Sequence, residues 1–160
     1  MALYTHITTE ASARRITRRG ISTRRRRRPD GVFAMPILPN FYASHQWLRE
    51  LRRRSHRKLV AVDFRLDDTE EVLIGHYGQP KTRVTAVQAA ALLMNVADPR
   101  GYEVLISRTI LPKEIRGFRS VPQVVGWRYW PESHGREPCG CPVCTKGDYG
   151  AAKVRERFRQ

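Results

Sequence analysis

Apolar and polar positions along the chain mark out a series of short elements. LYTHI (3–7) is a brief apolar run, read as a first strand with His6 near its end. Thr8 or Thr9 can cap the helix that follows, because a hydroxyl there accepts from unpaired N–H groups of the first turn. That helix is expected from Ala11 to Arg19, and Gly20 supplies the left-handed residue that ends it. RRRRRPDG (24–31) reads as a cationic loop closed by a Pro-Asp-Gly turn, and GVFAMP (31–36) as a second short strand stopped by Pro36 and Pro39. From 41 to 58 the apolar residues Tyr42, Trp47, Leu48 and Leu51 recur at helical spacing, with arginines on the other face. KLVAVDFRL (58–66) alternates, with Val60, Val62, Phe64 and Leu66 on one side, and predicts a half-buried strand. A strand is expected over VLIGHY (72–77) and a helix over TAVQAAALLM (85–94), where Thr85 and Gln88 have the spacing of a capping box. YEVLISRTI (102–110), IRGFRSV (115–121) and VVGWRYW (124–130) complete the set as strands.

The order β-α-β-α followed mainly by strands lacks regular βαβ alternation. It predicts an α+β domain on a mixed, largely antiparallel sheet with a few helices. Residues 1–130 hold this pattern. From 131 to 160 the chain turns Pro-, Gly- and Cys-rich, then ends in a short basic helical stretch, a small Cys-rich appendage. Hydrophobic residues make up 41% of the 160, which excludes a disordered chain. No apolar run approaches the roughly 20 residues that span a bilayer. Met1 leads straight into a strand without a signal-like segment, so a cytoplasmic protein is expected.

Charge changes this picture more than composition does. The net charge is +15, and residues 1–58 hold 15 of the 30 basic residues against three acidic ones, so +12 of the excess lies there. Such an imbalance attracts polyanions such as nucleic acid, or an anionic membrane surface, although a solvated basic face would give the same composition. All three cysteines fall within 139–144, which points to metal binding and away from a disulfide framework. His134, Cys139, Cys141 and Cys144 lie within eleven residues, enough to hold a structural zinc in a tetrahedral set. Reduced, unligated cysteines are the alternative, since only Cys141 and Cys144 have the usual two-residue gap.

Three stretches together resemble the ADP-ribosyltransferase superfamily, in its poly(ADP-ribose) polymerase-like and DarT-like branches. LYTHITT…ITRRGI is similar to the opening strand with its histidine and the helix ending in Gly plus an aliphatic residue. GVFAMPILPNFYAS is similar to the next element, an aromatic strand position followed by a second aromatic. GYEVLISRTILPKEI is similar to the late strand whose first residues carry the catalytic glutamate. The resemblance covers roughly residues 3–118, and it rests on the order of the motifs, each of which is weak alone.

The resemblance implies transfer of ADP-ribose from NAD, which breaks the bond between nicotinamide and ribose. A carboxylate on the ribose 2′-hydroxyl stabilises the positive charge that develops, and Glu103 would take that role. His6 would contact a ribose hydroxyl, Thr8 would help hold NAD, and Phe33 with Tyr42 would sandwich the nicotinamide ring. Taken singly, His6 reads as a core histidine, Glu103 as a strand-edge carboxylate, and Phe33 and Tyr42 as core aromatics. The polymerase-like branch has tyrosine where this chain has Phe33, which favours a single transfer over polymer formation.

Arg24, Arg25, Arg26, Arg27 and Arg28, with Arg49, Arg52, Arg53, Arg54, Arg57 and Lys58, flank the expected aromatic clamp. Arginine pairs with phosphate through two parallel bonds, and eleven cations exceed what one pyrophosphate needs. The expectation is therefore a mono-ADP-ribosyltransferase acting on DNA, RNA or a target bound to them, in the manner of a toxin or defence factor. Two alternatives remain open: a non-catalytic zinc-knuckle binder of nucleic acid, and an enzyme like RNA 2′-phosphotransferases.

Overall fold

The computed structural model describes residues 1–23, 30–53 and 57–123. The expected strand 124–130, the basic loop 24–28, Arg54 and the whole Cys-rich segment 131–160 lie outside the described residues, as does the side chain of Arg53.

Seven strands form one sheet: β1 (Ala2–Thr9), β2 (Val32–Pro36), β3 (Leu59–Leu66), β4 (Glu71–His76), β5 (Thr82–Thr85), β6 (Tyr102–Ile106) and β7 (Ile115–Ser120). Their order is β5-β4-β6-β2-β1-β3-β7, and every ladder among the described residues is antiparallel. The fold is α+β as expected, and the sheet expected to be mixed and largely antiparallel is antiparallel in these seven strands. Helices α1 (Glu10–Arg19) and α4 (Ala86–Asn95) are longest, and two short ones, α2 (Phe41–His45) and α3 (Leu48–Arg53), lie between β2 and β3. Among the described residues no helix is long and apolar enough to cross a membrane.

Local chemistry explains the helix ends. Thr9 Oγ1 accepts from the Ser12 amide, and the Gly20 amide donates to Ile16 O while its φ of 71° turns the chain away. A side chain at Gly20 would also strike the Ile110 carbonyl oxygen, which lies 1.9 Å from where a Cβ would stand. Thr85 and Gln88 close a full capping box: Thr85 Oγ1 accepts from the Gln88 amide and Gln88 Oε1 from the Thr85 amide.

The main core lies on one face of the sheet. There α1 contributes Ala13 and Ile16, and α4 contributes Ala86, Ala89 and Leu93. They pack over Tyr4, Val32, Val62, Phe64, Val72, Val104 and Ile106. Tyr4 ties the layers together, because its hydroxyl donates to Ala86 O at 2.7 Å inside the core. Burial and the nearby Glu70 carboxylate push its phenol well above the ordinary tyrosine range. On the opposite face Leu48, Leu59, Ala61 and Val121 form a smaller core with Ile7, Tyr42 and Leu51.

That second core corrects the half-buried reading of β3. Leu59 and Ala61 are buried as fully as Val60 and Val62, because α3 covers the face left to solvent by the alternation argument. The single helix expected over 41–58 is also broken, at Gln46 and Trp47. Gln46 is buried and bonds three backbone groups: Nε2 donates to Ala43 O and Pro99 O, and Oε1 accepts from the Gly101 amide. Trp47 Nε1 donates to Tyr102 O at 2.8 Å. Both side chains tie the segment to the start of β6. Arg108 fastens the next loop: its guanidinium bonds both carboxylate oxygens of Glu70 and both of Glu114. Those bonds raise the Arg108 guanidinium above its ordinary value.

Candidate active site

The three motif-bearing strands become neighbours in the order β6-β2-β1 at the centre of the sheet, although Phe33 lies 27 residues after His6 and Glu103 a further 70 along the chain. On its β6 side β2 is laddered at its first three residues, with Val32 opposite Ile106, Phe33 opposite Leu105 and Ala34 opposite Val104. On its β1 side the pairing covers only Pro36 with Tyr4 and Met35 with Thr5. From His6 onward β1 continues along β3, with Val62, Ala61, Val60 and Leu59 as partners. The sheet is joined at Tyr4 and Thr5 and opens into a seam beyond them.

His6 is the first residue of β1 past that junction. Its Nδ1–H donates to the carbonyl oxygen of Phe33 at 2.7 Å, so the imidazole bridges the seam where a ladder bond would have been. In the neutral ring this bond places the proton on Nδ1. Thr8, half-buried, follows two residues later on the same row.

Strand alternation sorts the other residues. Phe33 pairs with Leu105, and Glu103 stands two residues from Leu105, so Phe33 and Glu103 share a face. His6 belongs by register to the opposite row, with Tyr4 and Val62, and reaches the seam through its side chain. The structure thus brings Phe33 and Glu103 onto one surface and His6 to its edge, with β2 standing between His6 and Glu103.

Phe33 is 39% exposed, although it sits on a central strand between Val32 at 2% and Ala34 at 6%. It is an apolar ring left open where its neighbours are buried. Tyr42, its expected clamp partner, is half-buried in the smaller core against Leu48 and Leu59. The more open ring of that pair is Phe41, 38% exposed, which meets Tyr42 edge-on and stacks on His45 with centroids 4.1 Å apart.

Glu103 is held by a residue that the sequence reading did not single out. Lys81 Nζ lies 2.9 Å from Glu103 Oε2, and the two side chains are only 11% and 13% exposed. The cross-strand partner of Glu103 is Gly75. A Cβ on Gly75 would stand 2.8 Å from Pro80 O and 3.2 Å from Lys81 Cα, so its missing side chain is what admits the β4–β5 turn beside Glu103. Only the register of β4 against β6 reveals this relation, and no spacing in the sequence encodes it.

A second polar cluster lies on the Phe33–Glu103 face, further toward β7. Arg119 pairs with Asp63 through two bonds, Nη2 to Oδ1 at 2.9 Å and Nε to Oδ2. Arg119 Nη2 also approaches Nε2 of His45 at 3.4 Å, while His45 Nδ1–H donates to Phe41 O at 3.0 Å. Burial pushes the His45 imidazole below its ordinary value. The Phe41 carbonyl opposes the shift, and the Arg119 charge adds to it. The four-residue spacing of Phe41 and His45 was a readable helix-face signal for this contact.

The expected nucleic-acid cations are partly engaged within the fold. Arg52 donates from Nε to Gln123 O and from Nη1 to Arg57 O, and Lys58 pairs with Glu10 at 3.3 Å. Arg49 is half-buried and Arg57 exposed. His134, Cys139, Cys141, Cys144 and the remaining cations of the expected set lie outside the described residues. Compared with protein-family models, with curated proteins and with solved structures, the chain matches none.

Proposed function

We propose that the chain is an NAD-dependent mono-ADP-ribosyltransferase whose acceptor is nucleic acid or a target bound to it. One observation carries this reading. The strands bearing His6, Phe33 and Glu103 lie side by side, with the exposed Phe33 ring and the Glu103 carboxylate on one face and His6 at the seam beside them.

NAD as donor substrate supplies an ADP-ribosyl group on a nicotinamide leaving group. The residues present fit it: a flat cationic ring suits the exposed Phe33 face, worth about 0.5–1.5 kcal/mol in stacking. Phe41 is the more exposed candidate for a second ring, since Tyr42 is packed against the smaller core. Glu103 would hydrogen-bond a ribose hydroxyl and set its negative charge where positive charge develops. Lys81 fixes Oε2, which limits the directions that carboxylate can adopt. His6 would orient the ribose from the seam, with Thr8 beside it. Phe33 carries no hydroxyl, so the reading is a single transfer and not chain extension.

The same Lys81–Glu103 pair favours a second reading, in which the pocket is silent and the chain only binds nucleic acid. There Lys81 neutralises the carboxylate permanently. A zinc at His134, Cys139, Cys141 and Cys144 belongs to either reading, and metal analysis of purified chain would then find about one zinc per molecule.

Incubation with labelled NAD plus single-stranded DNA, duplex DNA, RNA or lysate separates the two. Label on a polymer together with released nicotinamide supports the transferase. Intact NAD beside tight, salt-sensitive nucleic-acid binding supports the silent module.

A further inference from the structure

Helix α1 carries a charge pattern that neither the fold nor the seam uses. Ala13 and Ile16 face the core. At 100° per residue the opposite side is Ala11, Arg14, Arg15 and Arg18, with Arg19 on its flank, and all five are exposed. The only carboxylate of the helix, Glu10, is paired with Lys58. Six carboxylates elsewhere are paired with other cations: Asp63 with Arg119, Glu70 and Glu114 with Arg108, Glu71 with Arg83, Asp98 with Arg100 and Glu103 with Lys81. Among the described residues Arg14, Arg15, Arg18 and Arg19 form no ion pair. Arg15 donates to the Ser12 hydroxyl at 3.4 Å.

Such a stripe works against the helix. Arg14 with Arg18, and Arg15 with Arg19, are like charges one turn apart, which repel. The C-terminal dipole accounts for Arg18 and Arg19 in the last turn, but not for Arg14 and Arg15 mid-helix. An external anion that spans more than one turn would relieve all four.

We propose that this arginine stripe of α1 binds the phosphodiester backbone of nucleic acid. Arg14 and Arg18 are about 6 Å apart along the axis, which lets successive guanidinium forks engage neighbouring phosphates. Ala11 keeps the approach to the stripe unobstructed. Arginine forks match phosphate oxygens two at a time and contact no base, so the surface is sequence-independent. A lipid surface is the less suitable partner, because interfacial helices offer large apolar side chains beside their cations. The exposed side of α1 has none, since its isoleucine is in the core. The inference deepens the acceptor side of the proposed function, and it rests on that reading for the class of polymer alone.

The test uses the full chain and labelled single-stranded DNA, duplex DNA and RNA, with affinity measured by anisotropy across a salt series. Arg14→Gln/Arg15→Gln/Arg18→Gln is compared with Arg65→Gln/Lys113→Gln/Arg116→Gln, a triple change at exposed cations that form no ion pair among the described residues. Both variants remove the same charge. The α1 variant should bind about tenfold or more weakly, and its salt slope should fall by roughly 2–3. The control should keep a slope near wild type. Equal losses in both variants, or none in either, would overturn the proposal. So would an α1 variant that loses binding to phosphatidylserine vesicles while holding nucleic acid normally. NAD transfer is assayed in parallel: its absence from wild type, with an α1-specific binding loss, would sink the transferase reading and leave the stripe standing.

Discussion

The Nδ1–H of His6 donates to the carbonyl oxygen of Phe33 at 2.7 Å, across the edge where β1 and β2 have ceased to pair. This bond links two of the three motif residues and sets the orientation of the imidazole. It lies at an exposed place, so its net worth is about 0.5–1.5 kcal/mol. His6→Ala should therefore lower the melting temperature only slightly while weakening NAD binding about tenfold. Calorimetric titration with NAD beside a thermal melt checks both. Early melting with unchanged NAD affinity would assign His6 to packing.

Lys81 and Glu103 form a pair that is close to buried, and removing one partner leaves the other charge stranded. Lys81→Met should cost about 2–4 kcal/mol, near the lower part of the range for broken buried pairs. The double change Lys81→Met/Glu103→Gln should recover most of that loss. A double-mutant cycle in denaturant measures the coupling, and additive losses would mean the two side chains do not interact in solution.

Gly75 is where the β4–β5 turn comes closest to the sheet. Gly75→Ala places a methyl 2.8 Å from the Pro80 carbonyl oxygen, a backbone atom that yields only if the turn moves. The expected result is a loss of about 1–3 kcal/mol and release of Lys81 from Glu103. Amide exchange should show faster opening at residues 78–82 than in wild type. Unchanged exchange there would show that the turn does not rest on Gly75.

The motifs and most strands were legible because they depend on local alternation and caps, as at Thr9, Thr85 and Gly20. The order β6-β2-β1, which sets the strands of His6, Phe33 and Glu103 side by side, was not readable from any one segment. Short β5 (Thr82–Thr85) lacked an apolar run and was missed, since its ladder with β4 needs no core side chain at every second position. The break at Gln46 was hidden for a different reason: buried amide bonds to Pro99 and Gly101 outweigh a helical period that holds across 41–58. Lys81 was invisible because its partner lies 22 positions away and meets it only through strand register.

His45 gives the fold a specific pH response. Its folded-state value lies below the ordinary 6.5, with burial as the main cause. The unfolded chain thus takes up the proton first. The stability tied to neutral His45 is fully present above about pH 6.5 and declines as pH falls from there toward the folded value. Melting temperatures between neutral pH and pH 5.5 should fall more for wild type than for His45→Asn, whose amide can still donate toward Phe41 O but does not titrate. Parallel curves for the two proteins would remove His45 from the account.

The central claim is that Glu103 acts on ribose from the surface it shares with Phe33. Glu103→Gln keeps the shape of the side chain and one hydrogen-bonding oxygen, and it removes the charge. The decisive measurement is label transfer from NAD to nucleic acid under single turnover, with NAD affinity measured on the same preparations. The account predicts that Glu103→Gln binds NAD nearly as well as wild type and transfers about a hundredfold or more slowly. Transfer at the wild-type rate by folded Glu103→Gln protein, or no transfer by wild type to any acceptor, would contradict it.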